Sequence, residues 1–170
     1  DEIRSRGLGD VYKRQLPNVN FKVRVRDESM GGDNPFKWVT KNTEDYFKNK
    51  KSIIFSLPGA FTPTCSTYQL PDFDKLYDDF KKSGIDEIYC ISVNDSFVMN
   101  AWAKHHKIDK VKVIPDGNAE FTRKMGMLVE KNNLGFGYRS WRYAALIDNC
   151  KIIESFVEPG FEDNLSLIHI

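Results

Sequence analysis

Cys65 has the surroundings in this sequence that best suit a reactive side chain. It lies in the run Ser56-Leu-Pro-Gly-Ala-Phe-Thr-Pro-Thr-Cys-Ser66, which joins a predicted buried strand to a predicted helix. Unpaired backbone N–H groups and the helix dipole at a first helical turn favour a thiolate over a thiol. The position suits a nucleophile, and from the position alone a small buried cysteine at a helix start fits equally well.

The loop before Cys65 carries two further chemical signals. Pro58 and Pro63 stiffen the backbone, so that its N–H groups are already aimed when a ligand arrives. Thr62 places a hydroxyl three residues before the sulfur. That hydroxyl can accept a hydrogen bond from a substrate O–H group or donate one to a thiolate.

The other cysteines do not suggest a disulfide framework or a zinc site. The sequence has three cysteines, and none of them forms a C-x-x-C pair. Cys90 lies in a predicted central strand and is expected in the core, whereas Cys150 lies in a predicted turn and is expected to be exposed. This pattern is typical of a reducing compartment, and without a visible signal peptide we expect a cytoplasmic location.

Charge and hydropathy exclude two classes of partner. Lys and Arg number 25 against 24 Asp and Glu, so no overall field attracts nucleic acid or an anionic membrane. The longest apolar run, Tyr143 to Ile147, is far shorter than the roughly 20 residues of a membrane span. The adjacent His105 and His106 cannot both face one metal ion, so we predict no metal site.

Strand and helix patterns alternate along the chain and end in a hairpin. This order predicts an α/β fold with a mixed central sheet flanked by helices, since the hairpin excludes a purely parallel sheet. The predicted strands are Phe21–Val25, Ser52–Leu57, Glu87–Val93, Val111–Ile114, Tyr143–Ile147 and Ile152–Val157. The predicted helices begin at caps Thr43 and Ser96, follow an apolar stripe from Cys65 to Phe80 that Pro71 interrupts, and cover Ala119–Met125.

The two ends of the sequence differ in composition from the rest. Residues 1–15 have no apolar period, and residues 165–170 form an apolar tail directly after an acidic loop. Both are interpreted as non-native or disordered tails. We therefore expect one domain over residues 16–164, possibly truncated at its C-terminal end.

Several motifs together resemble one enzyme family. Pro58-x-x-x-Thr62-x-x-Cys65 is similar to the active-site pattern of the peroxiredoxins, and the fuller run from Pro58 to Ser66 resembles the peroxiredoxin-five subfamily. The resemblance extends to Ser92-Val-Asn-Asp95, Met99-Asn-Ala-Trp102, Pro115-Asp-Gly117 and Arg139-Ser-Trp-Arg-Tyr143. It covers about residues 19 to 162 and implies a thioredoxin-like fold with extra elements.

The resemblance implies a role for each residue of the motif. Cys65 would be the peroxidatic nucleophile, oxidised by peroxide to a sulfenic acid. Arg142 would be the cation beside it, with backbone N–H groups around Thr64 and Cys65 holding the sulfur and the peroxide oxygens. Thr62 would orient the peroxide and Pro58 would shield the sulfur from water. Only the resemblance selects Arg142.

Two further residues remain candidates near the site. Arg139 is the rival for the cation role, because residue type and position alone do not separate it from Arg142. Phe136, in Gly135-Phe-Gly137, is a candidate wall of the pocket by resemblance.

The implied activity is reduction of hydrogen peroxide and organic hydroperoxides, in antioxidant defence and redox homeostasis. The reductant would be glutathione with glutaredoxin, or thioredoxin, and no bound cofactor is expected. Eight extended residues at roughly 3.3 Å each put Cys150 about 25 Å from Arg142, too far for a disulfide with Cys65. A homodimer is expected, with Phe97 and Phe136 as its apolar contacts. The alternative is a non-catalytic thioredoxin-fold sensor that signals through oxidised Cys65.

Overall fold

A mixed five-stranded sheet forms the centre of the molecule. The computed structural model describes residues 14–63 and 69–160. The strand order is β5-β4-β3-β8-β9, with β3, β4 and β5 parallel and β8 and β9 antiparallel to their neighbours. The strands of this sheet are β3 (Lys51–Ser56), β4 (Glu87–Ser92), β5 (Lys112–Pro115), β8 (Tyr143–Asp148) and β9 (Lys151–Val157).

Two small ribbons and four helices complete the described chain. The ribbons are β1 (Asn20–Arg26) with β2 (Phe36–Asn42), and β6 (Leu128–Glu130) with β7 (Tyr138–Ser140). The helices are α1 (Thr43–Phe47), α2 (Leu70–Lys82), α3 (Ser96–His105) and α4 (Glu120–Lys124). Single 3-10 turns lie at Glu28–Met30 and Asn132–Leu134. The predicted α/β fold with a mixed sheet is confirmed.

The central sheet is covered on both faces, because successive side chains of a strand point to opposite sides. Ile54 of β3 belongs to one hydrophobic cluster, to which β1 contributes Phe21 and α4 contributes Phe121. The next residue, Phe55, belongs to the other cluster, which includes Trp102 of α3 and Leu70 of α2. This two-sided burial explains why β3 and β4 appear in the sequence as continuous apolar runs.

Strands β2, β6 and β7 were not predicted. β2 has the sequence FKWVTKN and buries no residue, so alternation of polar and apolar residues gives little signal. Its pairing with β1, from Asn20 opposite Asn42 to Arg26 opposite Phe36, holds it instead. β6 and β7 have three residues each, which is too short for a periodic pattern.

Two predicted helix caps are wrong by one residue. Asn42, not Thr43, caps α1, in a reciprocal capping box with Asp45. Asp95, not Ser96, caps α3, and its carboxylate accepts from the Val98 N–H at 2.9 Å. Pro71 does not interrupt the described helix α2, since it lies in the first turn, where a missing N–H costs nothing.

Thr43 and Ser96, the residues predicted as caps, make hydrogen bonds with other parts of the chain. The Thr43 hydroxyl accepts from the Val19 N–H at 3.0 Å and donates to the Pro17 carbonyl at 2.7 Å. The Ser96 hydroxyl accepts from the Arg24 N–H at 2.9 Å. The Thr43 hydroxyl therefore joins the residues before β1 to the start of α1, and the Ser96 hydroxyl attaches β1 to α3.

The chain contacts the domain slightly before the predicted boundary at residue 16. The Ile152 N–H donates to the Arg14 carbonyl at 2.9 Å, and Gln15 forms an isolated bridge with Lys151. These two residues thus pair with the closing hairpin, so contacts with the domain extend at least as far as Arg14. Residues 1–13 of the predicted tail 1–15, the predicted tail 165–170, and the end of the predicted domain after Gly160 lie outside the described residues.

Candidate active site

The candidate site lies where β3 and β4 end at the same edge of the sheet. The loop containing Pro58 and Thr62 follows β3, and Asn94 follows β4. The β7–β8 connection approaches this edge because the buried Ser56 hydroxyl lies 2.8 Å from the Ser140 hydroxyl. The pairing of β3 with β8, and this contact between Ser56 and Ser140, bring Arg142 and Arg139 near the end of β3, although both lie far from it in sequence.

The hydroxyl group of Thr62 donates its hydrogen bond within the loop. The Thr62 hydroxyl donates to the Gly59 carbonyl at 2.7 Å. Its oxygen lone pairs then remain available, so in this arrangement the hydroxyl accepts from a partner and does not donate to a sulfur. Of the two roles predicted from sequence, acceptance from a peroxide O–H is the one this geometry supports. Pro58 is half-buried at the start of the same loop.

Thr64 and Cys65 lie outside the described residues, in the segment 64–68. The described residues on either side of this segment are Pro63 and Gln69. Gln69 immediately precedes α2, so its position fixes where the segment returns to the described fold.

Arg142 contacts the chain directly after this segment. Its Nη1 donates to Gln69 Oε1, and its Nε lies 3.4 Å from Glu158 Oε1. The Arg142 side chain is only 20% exposed, whereas that of Glu158 is 45% exposed. A guanidinium that is largely shielded from water exerts a stronger field on a neighbouring group than an exposed one. Arg142 thus places a positive charge next to Gln69.

Arg139 contacts the chain before the segment, through carbonyl groups. Its Nη1 approaches the carbonyls of Pro58 at 3.5 Å and Val93 at 3.4 Å, and its Nε donates to Phe136 at 3.1 Å. Its guanidinium also lies 5.5 Å from the centre of the Phe136 ring. Phe136 is half-buried, so the predicted pocket-wall residue lies against an arginine that contacts Pro58.

The structure adds contact residues that sequence analysis did not single out. Asn94 Oδ1 accepts from the Ala60 N–H at 3.0 Å and from the Ser92 hydroxyl at 2.8 Å. Gln69 and Glu158 contact Arg142, as described above. Asn94 falls within Ser92-Val-Asn-Asp95, a run already noted for its resemblance, which is the one available signal. Nothing in the residue pattern marks Gln69 or Glu158.

The two described cysteines lie outside the loop and the arginine contacts of the site. Cys90 is fully buried in β4, opposite Phe55 and Val113, which confirms its predicted core position. Cys150 is half-buried, so its predicted exposure is wrong. The Leu16 N–H donates to its carbonyl at 2.8 Å, and the thiol packs against the cluster that contains Ile54. Burial, then the charge of Glu44, raises the pKa of the Cys150 thiol.

The remaining features of the described residues suggest no other chemistry. No three His, Cys, Asp or Glu side chains there group closely enough for a metal ion. The rings of His105 and His106 are perpendicular, with centres 5.0 Å apart. Over residues 14–63 and 69–160, every helix is too short or too polar to cross a membrane.

Comparison with known proteins places the chain in a family. The Redoxin family model matches residues 38–166. A peroxiredoxin of Rhizobium etli is 64% identical over 154 residues, which span 91% of this chain and 86% of that protein. The hybrid peroxiredoxin hyPrx5 of Haemophilus influenzae is 50% identical over 90% of this chain and 60% of its own length.

A solved structure agrees in fold as well as in sequence. The 1-Cys peroxiredoxin of Plasmodium falciparum superposes with a TM-score of 0.80 at 41% identity, covering 86% of this chain and 85% of that one. The thioredoxin-like fold expected from the resemblance is therefore confirmed. From the family model, these relatives and the shared fold, the chain belongs to the peroxiredoxins, a family of thiol peroxidases, and is of the peroxiredoxin-five type.

Proposed function

We propose that this protein reduces hydrogen peroxide and organic hydroperoxides with Cys65 as the attacking thiolate. The observation that carries the proposal is the arrangement around segment 64–68. Thr62, whose hydroxyl oxygen is available to accept a hydrogen bond, precedes the segment. Directly after the segment, Gln69 is contacted by the largely buried guanidinium of Arg142. Membership of a thiol peroxidase family favours this function over the sensor alternative.

The first half-reaction transfers one oxygen atom to sulfur. The Cys65 thiolate attacks one peroxide oxygen, the S–O bond forms as the O–O bond breaks, and the leaving oxygen takes a proton to become water or an alcohol. Sulfur is oxidised to the sulfenic acid and the peroxide is reduced by two electrons. Negative charge develops on the leaving oxygen in the transition state, so preorganised donors accelerate this step.

Each residue has a defined part in this step. Arg142 stabilises the thiolate and the developing oxygen charge. The Thr64 and Cys65 backbone N–H groups supply further donors. The Thr62 oxygen accepts from the peroxide O–H and so turns the other oxygen towards sulfur. Pro58 excludes water from the sulfur. Phe136 forms a wall of the pocket through its packing on Arg139.

An external thiol regenerates Cys65 in the second half-reaction. One glutathione condenses with the sulfenic acid, forming a mixed disulfide and releasing water. A second thiol, from glutathione or glutaredoxin, then attacks the glutathione sulfur, so that the bond to Cys65 breaks, the Cys65 thiolate leaves and a new disulfide forms. Burial of Cys90, and the position of Cys150 at the opposite end of β8 from Arg142, support an external thiol as the resolving group. The Plasmodium falciparum relative is likewise a 1-Cys peroxiredoxin. Thioredoxin is the alternative reductant, and this cycle uses no metal, haem or flavin.

The proposal also includes a homodimer and a cytoplasmic location. Phe97 is 58% exposed and Trp38 is 54% exposed, with ring centres 5.5 Å apart, so they form an apolar patch at the start of α3. A second copy would cover this patch. The cytoplasm keeps thiols reduced, as the regeneration step requires.

Steady-state turnover with peroxide and glutathione tests the proposal. The Cys65→Ser variant is expected to lose turnover while keeping the wild-type circular dichroism spectrum and melting temperature. Cys150→Ser is the matched control and is expected to retain wild-type turnover. Wild-type activity in Cys65→Ser, or loss of activity in Cys150→Ser, would contradict the assignment of the nucleophile.

A further inference from the structure

The geometry points to Arg139 as a positioning residue that clamps the backbone of the Pro58–Thr62 loop, rather than as a second cation for the thiolate. This inference rests on the proposed function, because the loop it clamps carries Thr62 and Pro58. Its structural part is measurable without peroxide.

The donors of Arg139 are directed at backbone oxygens from three separate segments. They are the carbonyls of Pro58 in the loop, Val93 after β4 and Phe136 in the Gly-flanked turn. One planar guanidinium therefore ties the loop to two other parts of the sheet edge. A rigid fork of five N–H donors suits this geometry, whereas the point charge of a lysine cannot span it.

Gly59 provides an independent observation. A Cβ atom built on Gly59 would lie 2.6 Å from Arg139 Nη1, closer than real Cβ contacts allow. Gly59 is not among the residues with positive φ, so its backbone conformation is open to any residue. A methyl group at this position would therefore have to displace the Arg139 guanidinium nitrogen, which occupies this space.

Asn94 and Thr62 hold the remaining polar groups of the loop. Asn94 Oδ1 accepts from the Ala60 N–H, and the Thr62 hydroxyl donates to the Gly59 carbonyl. Between these contacts Phe61 adopts a φ of 62°, which is costly for a residue with a side chain. A strained loop of this kind persists only where its surroundings fix it, and here Arg139 contacts Pro58 while Asn94 contacts Ala60.

The clamp acts on the reaction through the position of Thr62. Its hydroxyl is oriented by the Gly59 carbonyl, and that carbonyl follows the peptide of Pro58 that Arg139 contacts. A shift of about 1 Å in such a group can cost roughly 100-fold in rate. Loss of the clamp should slow attack on peroxide much more than attack on a reagent that needs no orientation by Thr62.

The test compares two single-turnover rates of Cys65, oxidation by hydrogen peroxide and alkylation by iodoacetamide. Arg139→Ala is expected to slow oxidation by roughly 10- to 100-fold and alkylation by less than about threefold. Arg139→Lys is expected to remain impaired in oxidation, because it keeps the charge and loses the fork. The exposed Arg123→Ala is the control and is expected to match the wild type in both rates.

A second part of the test measures the coupling between Gly59 and Arg139 in the oxidation rate of Cys65. Gly59→Ala is expected to slow oxidation in the wild-type background. In the Arg139→Ala background it is expected to slow oxidation by less than about a further twofold, because the Arg139 nitrogen that the new methyl group would displace is absent. Backbone amide exchange of the peptide covering residues 59–62 is expected to accelerate in both single variants. This exchange does not depend on peroxide.

The outcomes separate the two proposals. If wild-type Cys65 does not react with peroxide, the proposed function fails, and amide exchange still decides whether the clamp exists. Unchanged exchange in Arg139→Ala overturns the clamp. Equal losses of the oxidation and alkylation rates in Arg139→Ala would also overturn the clamp. So would a wild-type oxidation rate in Arg139→Lys, or an equal slowing of oxidation by Gly59→Ala in the wild-type and Arg139→Ala backgrounds.

Discussion

Arg139 and Arg142 lie three positions apart, yet Arg139 contacts Pro58, which precedes the segment that holds Cys65, and Arg142 contacts Gln69, which follows it. Sequence alone could not assign their roles, because both are arginines at the start of the same predicted hairpin. The structure separates them by partner: Arg142 contacts Gln69 and Glu158, and Arg139 contacts backbone carbonyls. The motif around Cys65 was visible in the sequence because its residues are contiguous. Asn94 follows β4 and Glu158 follows β9, so only folding brings them to the site.

Removing the cation at Arg142 should raise the pKa of the Cys65 thiol. The positive charge favours the thiolate, so Arg142→Ala should move the pKa upward towards the roughly 8.5 of a free thiol. At pH 7 the thiolate fraction falls, and at pH 9 the difference from wild type narrows. The pH dependence of Cys65 alkylation measures the shift, with Arg123→Ala as the control. An unchanged alkylation profile in Arg142→Ala would remove Arg142 from the thiolate's surroundings.

The three thiols should react with iodoacetamide in a fixed order. At pH 7 Cys65 should react first. Cys150 should follow slowly, because burial raises its pKa and keeps the thiol protonated, and its rate should still be rising with pH beyond the ordinary thiol range. Cys90 should react only after unfolding, since it is fully buried. Peptide mass spectrometry gives the order, and faster labelling of Cys150 than of Cys65 at pH 7 would contradict it.

At the scale of single elements, burial decided which strands the sequence could predict. β4 buries all six of its residues and β3 buries four of six between the two hydrophobic clusters, so their apolar runs were recognisable. β2 is held by hydrogen bonds to β1 while its side chains stay largely accessible, and no periodicity records that pairing. The cap predictions were wrong for a related reason. Adjacent residues such as Asp95 and Ser96 both suit an N-cap position, and only tertiary contacts decide which of them caps the helix.

Helix α4 depends on one buried carboxylate, which gives a prediction about stability. Asp116 is 3% exposed and accepts from the Phe121 N–H at 3.1 Å and from the Thr122 N–H and hydroxyl at 2.8 and 2.7 Å. Asp116→Ala would leave these donors buried and unpaired. We expect the free energy of unfolding to fall by about 2 to 4 kcal/mol in urea denaturation. The exposed Asp33→Ala should change it by less than about 0.5 kcal/mol, and equal stability of the two variants would contradict the role of Asp116.

At the scale of the whole molecule, the patch formed by Phe97 and Trp38 predicts a dimer. Phe97→Lys should place a charge in the interface and shift the protein to one species of 19.7 kDa in sedimentation at micromolar concentration. The thermal midpoint of the monomer fold should change little, because Phe97 is 58% exposed within one chain. Phe156→Lys, at an equally exposed aromatic on β9, is the control and should leave the dimer intact. A wild-type protein that sediments as a monomer would exclude the dimer.

The most direct test of the whole mechanism is mass spectrometry of the intact protein after one equivalent of hydrogen peroxide, with and without glutathione. Without glutathione, one oxygen atom should be added and should map to Cys65 as a sulfenic acid trapped by dimedone. With glutathione, the same protein should pass through a mixed disulfide on Cys65 and return to its starting mass. An unmodified Cys65, or a peroxide-induced disulfide between Cys65 and Cys150, would contradict the one-cysteine peroxidase mechanism.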